Sequence, residues 1–331
     1  MQSRSIVLSL AGITAILGAN MWTLNWTDRQ AMPTPVAGGI VAQLDGQLAY
    51  AGGTTWKDGV KLWLRDVVLF DPAKNQWTPG PSLPRALAYG AALRSEDGLE
   101  VLGGSDGQNT SLESWRLSKA DGTWQSTGSA PAGTLFGRAE AIGQRAYLFG
   151  GCADVADLTQ CTDIVYVRDT NGQWKQISSL PQGAVAMPAA TKAGGRVYLF
   201  GGCSMKTAGA LLNRDDAYAF EAGTRKWTRL KPLPKANRGM TALLLDDRHI
   251  LLAGGYTATL AEAAGKPGDF GFAAEVWIYD IQTDSYTAAT PLPFAAAGVE
   301  LLAHSQTVYA LGGEQRMKGR SNRLLAAPFA H

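Results

Sequence analysis

Six of the chain's eight Gly-Gly pairs recur at a repeat-like spacing, at Gly52-Gly53, Gly103-Gly104, Gly150-Gly151, Gly201-Gly202, Gly254-Gly255 and Gly312-Gly313. Most of them end a β-like apolar run, as in Ala146-Tyr147-Leu148-Phe149 and Val197-Tyr198-Leu199-Phe200. An aromatic series keeps step with the pairs: Trp77, Trp124, Trp174, Trp227 and Tyr286. Seven residues after each aromatic comes a proline: Pro84, Pro131, Pro181, Pro234 and Pro293. The period is about 47–59 residues, within the range of repeats that share one core across neighbouring units. With 39 Gly and 10 Trp in 331 residues, many short strands and tight turns are expected.

Six glycine pairs but only five following aromatics leave the last unit one strand short. The missing strand lies at the other end. Trp26, in Leu24-Asn25-Trp26-Thr27, is followed seven residues later by Pro33. The N-terminal segment is therefore expected to complete the unit whose other strands come from the C-terminus, which removes two open sheet edges. Each unit reads as four strands, a to d from the axis outward. Strand a follows the proline, b ends at the glycine pair, c holds patterns such as Asp66-Val67-Val68-Leu69-Phe70-Asp71, and d ends near the aromatic. The fold class is all-β: a six-bladed kelch-type β-propeller, its sixth blade closed by the N-terminal strand. One large aromatic per repeat supplies much core area, which assigns these residues to packing between blades.

Residues 1–19 differ from the rest. Arg4 precedes an apolar run from Ile6 to Leu17, and Gly18 and Ala19 form the small-residue end of a signal peptide, with Leu17 and Ala19 at the −3 and −1 positions of the cleavage site. An uncleaved anchor or a buried strand is the alternative. Export to the periplasm or beyond is the expectation, with residues 20–331 forming one domain and no membrane contact after cleavage. An oxidising compartment permits a Cys152–Cys161 disulfide that leaves Cys203 free; a Cys152–Cys203 link is the other pairing. Neither these cysteines nor His249, His304 and His331 show metal-ligand spacing, so no metal is expected. The net charge of +2 gives no reason to expect nucleic acid as a partner. A homodimer stays open.

Spacing also locates the working face. From each proline to its glycine pair is 19 or 20 residues, and from the strand-c acid (Asp66, Glu113, Asp163, Asp216 or Glu275) to the aromatic is always 11. The connection between strands b and c varies instead, and it is longest in blade five, from Tyr256 to Ala274. Variable loops on a constant scaffold are where binding usually sits. Arg85 follows Pro84 directly, Arg238 lies four after Pro234, and Arg138 seven after Pro131. Blade six adds Glu314 immediately after its glycine pair, then Arg320. The other blades have Thr54, Ser105, Cys152, Cys203 or Tyr256 at Glu314's position, so the repeat itself does not require a carboxylate. Such residues also serve as backbone caps or as structural lining of a channel; their convergence on one mouth is what favours a site.

At these residues the chain resembles the kelch-type sialate mutarotases, also called N-acetylneuraminate epimerases. Gly313-Glu314-Gln315-Arg316-Met317-Lys318-Gly319-Arg320-Ser321 is similar to that family's Gly-Glu, five residues, Arg-(Thr/Ser) segment. Pro84-Arg85 resembles a family Pro-Arg at the start of an inner strand. Gly52 to Gly59, which contains Trp56, looks like a segment of the cyclically permuted branch. The resemblance implies Glu314 as base and Arg320 as its catalytic partner, with Arg85 and Trp56 as substrate-binding residues; Arg138 and Arg238 are expected to bind substrate from their places near the axis. It implies a small anionic sugar as substrate, whose carboxylate arginines can hold with paired hydrogen bonds. Mutarotation needs a proton taken from the anomeric hydroxyl and one given to the ring oxygen, and no cofactor. A non-catalytic kelch module binding protein or glycan would use the same face without needing Glu314.

Overall fold

The computed structural model describes residues 22–95 and 98–329; the expected signal segment, residues 1–19, lies outside them. Six four-stranded antiparallel sheets surround one axis. Blade one is formed by Ile40–Leu44, Gln47–Ala51, Val67–Asp71 and Gln76–Pro79. Blades two to five repeat the pattern, ending with Ser285–Ala289. Blade six takes Glu300–His304, Thr307–Leu311 and Leu324–Pro328 from the C-terminal part, then Thr27–Asp28 as its outermost strand. Thr27 pairs with Ala326 and Asp28 with Leu325, so the N-terminal closure holds. Among the described residues no helix is long and apolar enough to cross a membrane.

The glycine pairs have a specific cause. In blade one Gly52 and Gly53 have φ of 65° and 92°, a region closed to most side chains. The N–H of Gly53 donates to Leu87 O of the next blade at 2.9 Å. A Cβ on Gly52 would sit 2.4 Å from that same oxygen. Only two glycines in a row allow this close crossing. It recurs where Gly151 reaches Val185 O, Gly202 reaches Asn237 O, Gly255 reaches Ala296 O and Gly313 reaches Val36 O, at 2.8–3.0 Å.

The core lies between sheets rather than within one. Leu251, Val276 and Ile278 of blade five pack with Leu301, Val308 and Leu325 of blade six, and Leu24 completes that cluster. The repeat aromatics tie blades together at the outer rim. Trp77 Nε1 donates to Gln30 O at 2.8 Å, Trp124 Nε1 to Pro81 O at 2.7 Å, and Trp26 Nε1 to Thr290 O at 3.3 Å. Tyr286 does the same with its hydroxyl, to Lys231 O at 2.8 Å. A hydroxyl at the ring's far end replaces the indole N–H, which explains why tyrosine stands in for tryptophan there. Of the two cysteine pairings, the structure forms Cys152–Cys161 and leaves Cys203 a free, buried thiol.

Candidate functional site

One residue per blade, five or six after the repeat proline, turns the chain into strand a with positive φ: Gly38, Tyr89, Phe136, Met187, Gly239 and Gly298, at 55–71°. Their backbones form a chain of hydrogen bonds around the axis. Tyr89 N donates to Gly38 O, Phe136 N to Tyr89 O, Met187 N to Phe136 O, Gly239 N to Met187 O and Gly298 N to Gly239 O, at 2.7–3.1 Å. A non-glycine residue in this region costs on the order of 1 kcal/mol, and three adjacent blades bear it. Tyr89, Phe136 and Met187 thereby wall one half of the mouth, and glycines leave the other half open.

Above this ring lies a cavity of about 250 Å³ whose lining includes Lys61, Tyr89, Phe136, Arg138, Glu314 and Arg320. Glu314 is held by a two-way backbone bridge to Ala297, with N–O distances of 2.8 and 2.9 Å. Ala297 directly precedes the ring residue Gly298, so this bridge fixes the carboxylate beside the axis. Arg320 stands opposite Glu314 on a short hairpin formed by Glu314–Arg316 and Gly319–Arg320. Its Nη1 lies 2.6 Å from Glu314 Oε1. That contact lacks hydrogen-bond alignment, so Nη1 is left without an aligned acceptor. Nε and Nη2 of Arg320 donate to Thr54 Oγ1 at 3.3 and 3.1 Å, and Lys318 N donates to Glu314 Oε1 at 3.1 Å. The Arg320 side chain is 5% exposed and that of Glu314 29%: a buried guanidinium braces a carboxylate that stays open to the cavity.

The other residues singled out from sequence divide. Arg138 lines the same cavity, and its Nε donates to Pro188 O at 2.8 Å. Arg238 lies 4.3 Å over the Tyr256 ring, donates to Asn213 Oδ1, and lines an adjoining cavity that shares Glu314. Arg85 lines neither cavity; it pairs with Asp106 at 3.4 Å and Glu113 at 3.3 Å within blade two. Trp56 lines neither as well, and it sits under Lys318 Nζ at 5.3 Å. Lys61, Tyr89, Phe136 and Met187 were not foreseen. A count of five or six from the proline marks three of them; Lys61 comes from a variable loop and carries no such mark. Lys61 Nζ stands 4.9 Å over the Tyr89 ring, close enough for a cation–π contact.

Below the ring, strand a of several blades turns charged side chains into the channel. Arg94, Arg138, Glu140 and Glu300 line a small space of about 50 Å³, and Arg94 pairs with Glu300 at 2.8 Å. Burial pushes Glu140 up to about 7 against the pull of Arg94, Lys192 and Arg138. An unfolded chain ionises this group near its ordinary value, whereas the folded protein holds the proton up to about pH 7. The unfolded state therefore binds fewer protons in that window, and folding stability falls as pH rises through it. Chemical unfolding at pH 4.5, 6 and 7.5 should show a loss of about 1–3 kcal/mol that Glu140→Gln abolishes. An identical slope in the variant would assign the loss to other groups.

Comparison with known proteins adds similarity at family level. Residues 101–313 match the family model described as KLHDC2/KLHL20/DRC7 Kelch-repeats domain. Kelch-like protein 35 of Mus musculus is 25% identical over 265 residues, covering 79% of this chain and 41% of its own length. N-acetylneuraminate epimerase of Haemophilus influenzae is 24% identical over 56% of this chain and 54% of its own length. N-acetylneuraminate epimerase 1 of Escherichia coli is 25% identical over 50% and 52%. The chain thus spans about half the length of the relatives it matches.

Proposed function

We propose that this chain, which belongs to the kelch-repeat family, interconverts the anomers of an acidic sugar of the N-acetylneuraminate type. The observation that carries this reading is the Glu314–Arg320 pair, a contact of 2.6 Å beside the axis in a cavity lined by further cations. The relatives named N-acetylneuraminate epimerase supply the sugar class. The Gly52–Gly59 segment supports assigning the chain to a cyclically permuted branch of the mutarotases. The apolar run from Ile6 to Leu17 supports export, and the Cys152–Cys161 disulfide fits an oxidising compartment.

The chemistry needs few parts. Arg320, with Arg138 and Lys61, holds the sugar carboxylate by charge-assisted hydrogen bonds. Glu314 takes the proton of the anomeric hydroxyl, and the C–O ring bond breaks as the ketone forms. The ring oxygen receives the proton that Glu314 now carries, so one carboxyl group serves both transfers. Rotation about the bond to the carbonyl carbon presents the other face, and the same steps in reverse close the second anomer. Atoms and charge balance with no further reactant.

The test is NMR exchange spectroscopy of N-acetylneuraminate with purified protein. Anomer exchange faster than the spontaneous rate is the expected result. Binding without exchange on any sialic acid would instead identify a kelch module that recognises protein or glycan. The similarity to Kelch-like protein 35 over 79% of the chain keeps that second reading in view.

A further inference from the structure

The space around Glu314 does not end at the polar mouth. On the blade-five side it runs under the long Tyr256–Ala274 connection into a second chamber of about 420 Å³. The two chambers share Met187, Gly239, Ala297 and Glu314. The second chamber is the more apolar of the two: Tyr256, Leu260, Phe270, Phe272 and Met317 line it, with Arg238 and Lys266 as its cations. Leu260, Phe270 and Met317 are 46, 39 and 64% exposed, three of seven large apolar side chains left exposed among the described residues. Their meeting in one concave site beside the polar pair is the pattern of a ligand pocket.

This wall is built, not slack. Thr259 and Glu262 form a reciprocal capping box on the Leu260–Ala263 helical turn. Thr257 N donates to Gly271 O at 2.8 Å, and the Tyr256 and Phe272 rings meet edge to face at 4.9 Å. Met317 N donates to Gly268 O at 2.8 Å, which joins the blade-five connection to the hairpin carrying Glu314 and Arg320. Gly271 has φ of 87°, and a Cβ there would sit 2.5 Å from Ala258 Cβ, so the turn admits only glycine.

We propose that this chamber receives an apolar acyl arm, longer than acetyl, carried by the same acidic sugar whose head group meets Glu314 and Arg320. The inference rests on the mutarotase reading and narrows its substrate class. A methylene occupies about the volume of a water molecule, roughly 30 Å³, so an acetyl group leaves most of the chamber empty and a six-carbon chain fits within it.

The experiment compares N-acetylneuraminate with two hexanoyl derivatives, one with hexanoyl in place of acetyl on the nitrogen and one esterified with hexanoyl on the terminal hydroxyl. Calorimetric affinity and NMR anomer exchange are measured for each. At least one hexanoyl sugar should bind about 10–100-fold more tightly, as burial of the added alkyl carbons (about four on the nitrogen, about five on the hydroxyl) allows. Leu260→Asp should abolish that gain, and Phe270→Ala, on a different segment, should reduce it. If neither hexanoyl sugar binds more tightly than N-acetylneuraminate, the chamber has been misassigned. Exchange of N-acetylneuraminate without acyl preference overturns the acyl arm and leaves the mutarotase. Acyl preference without exchange on any of the three does the reverse, and binding of none overturns both.

Discussion

Glu314→Gln should lower anomer turnover by about 10²–10⁴-fold, the usual worth of a positioned acid–base group, while sugar affinity changes little. Glutamine keeps the length and one acceptor oxygen, so the backbone bridge to Ala297 and the hairpin survive. What disappears is the ability to carry a proton. Arg320→Ala should fail differently. It removes a guanidinium that touches both Glu314 and Thr54, and the dissociation constant should rise about 10–100-fold before turnover is affected. Arg85→Ala should alter neither quantity, since Arg85 pairs with Asp106 and Glu113 away from the cavity. Exchange NMR separates the turnover effect from calorimetric binding. Equal exchange by wild type and Glu314→Gln, above the spontaneous rate, would remove Glu314 from the mechanism.

Deleting residues 22–32 should abolish cooperative folding or cause aggregation. Leu24 is fully buried and Met32 is 2% exposed. The indole of Trp26 packs on the same cluster as Leu24. Together these three side chains contribute about 5–8 kcal/mol of apolar burial, comparable to the whole stability of many domains. Backbone bonds are lost as well: Arg29 N to Leu324 O and Met32 N to Asn322 O, both at 2.8 Å, and the Asp28–Arg323 ion pair at 2.8 Å. The buried strand Leu324–Pro328 would become an open edge, ready to pair with another molecule. Calorimetry and size-exclusion chromatography of the truncated protein decide the matter. An unchanged, cooperative melting transition in a monomer would show that the closing strand is dispensable.

Spacing made the architecture legible because each repeat solves the same steric problem in the same place. The glycine pairs announce a backbone crossing that side chains forbid, and the Trp-to-Pro interval announces the outer strand and its turn. The site was only partly legible. Glu314 stood out as a carboxylate where five other blades have none, and Arg320 followed from its place on the same loop. Arg85 misled because adjacency to the repeat proline does not bring a side chain to the axis; the chain travels four more residues before reaching Tyr89 at the ring. Tyr89, Phe136 and Met187 gave no chemical signal, since positive φ is usually read from glycine and these residues adopt it under the demand of the hydrogen-bonded ring. The channel charges Glu140 and Arg94 were visible as polar residues within apolar strands, but only the closed ring of blades shows that they line one space. The cysteines allowed two pairings, and the short loop in blade three forms the local one.

The ring at the mouth also sets where this protein can change its tastes. Each of its six positions is a socket whose backbone is fixed by neighbours, so a new side chain there alters the opening without redrawing the scaffold. The three glycine sockets are not equally free. A Cβ on Gly38 would strike the Tyr89 ring at 2.3 Å, one on Gly239 would meet Ala297 Cβ at an ordinary 3.6 Å, and one on Gly298 would meet nothing within 4 Å. Divergence toward new ligands is thus channelled to Gly239 and Gly298, at a backbone cost of about 1 kcal/mol per residue. Both flank Ala297 and Glu314, so the cheapest heritable changes in selectivity fall beside the proposed base.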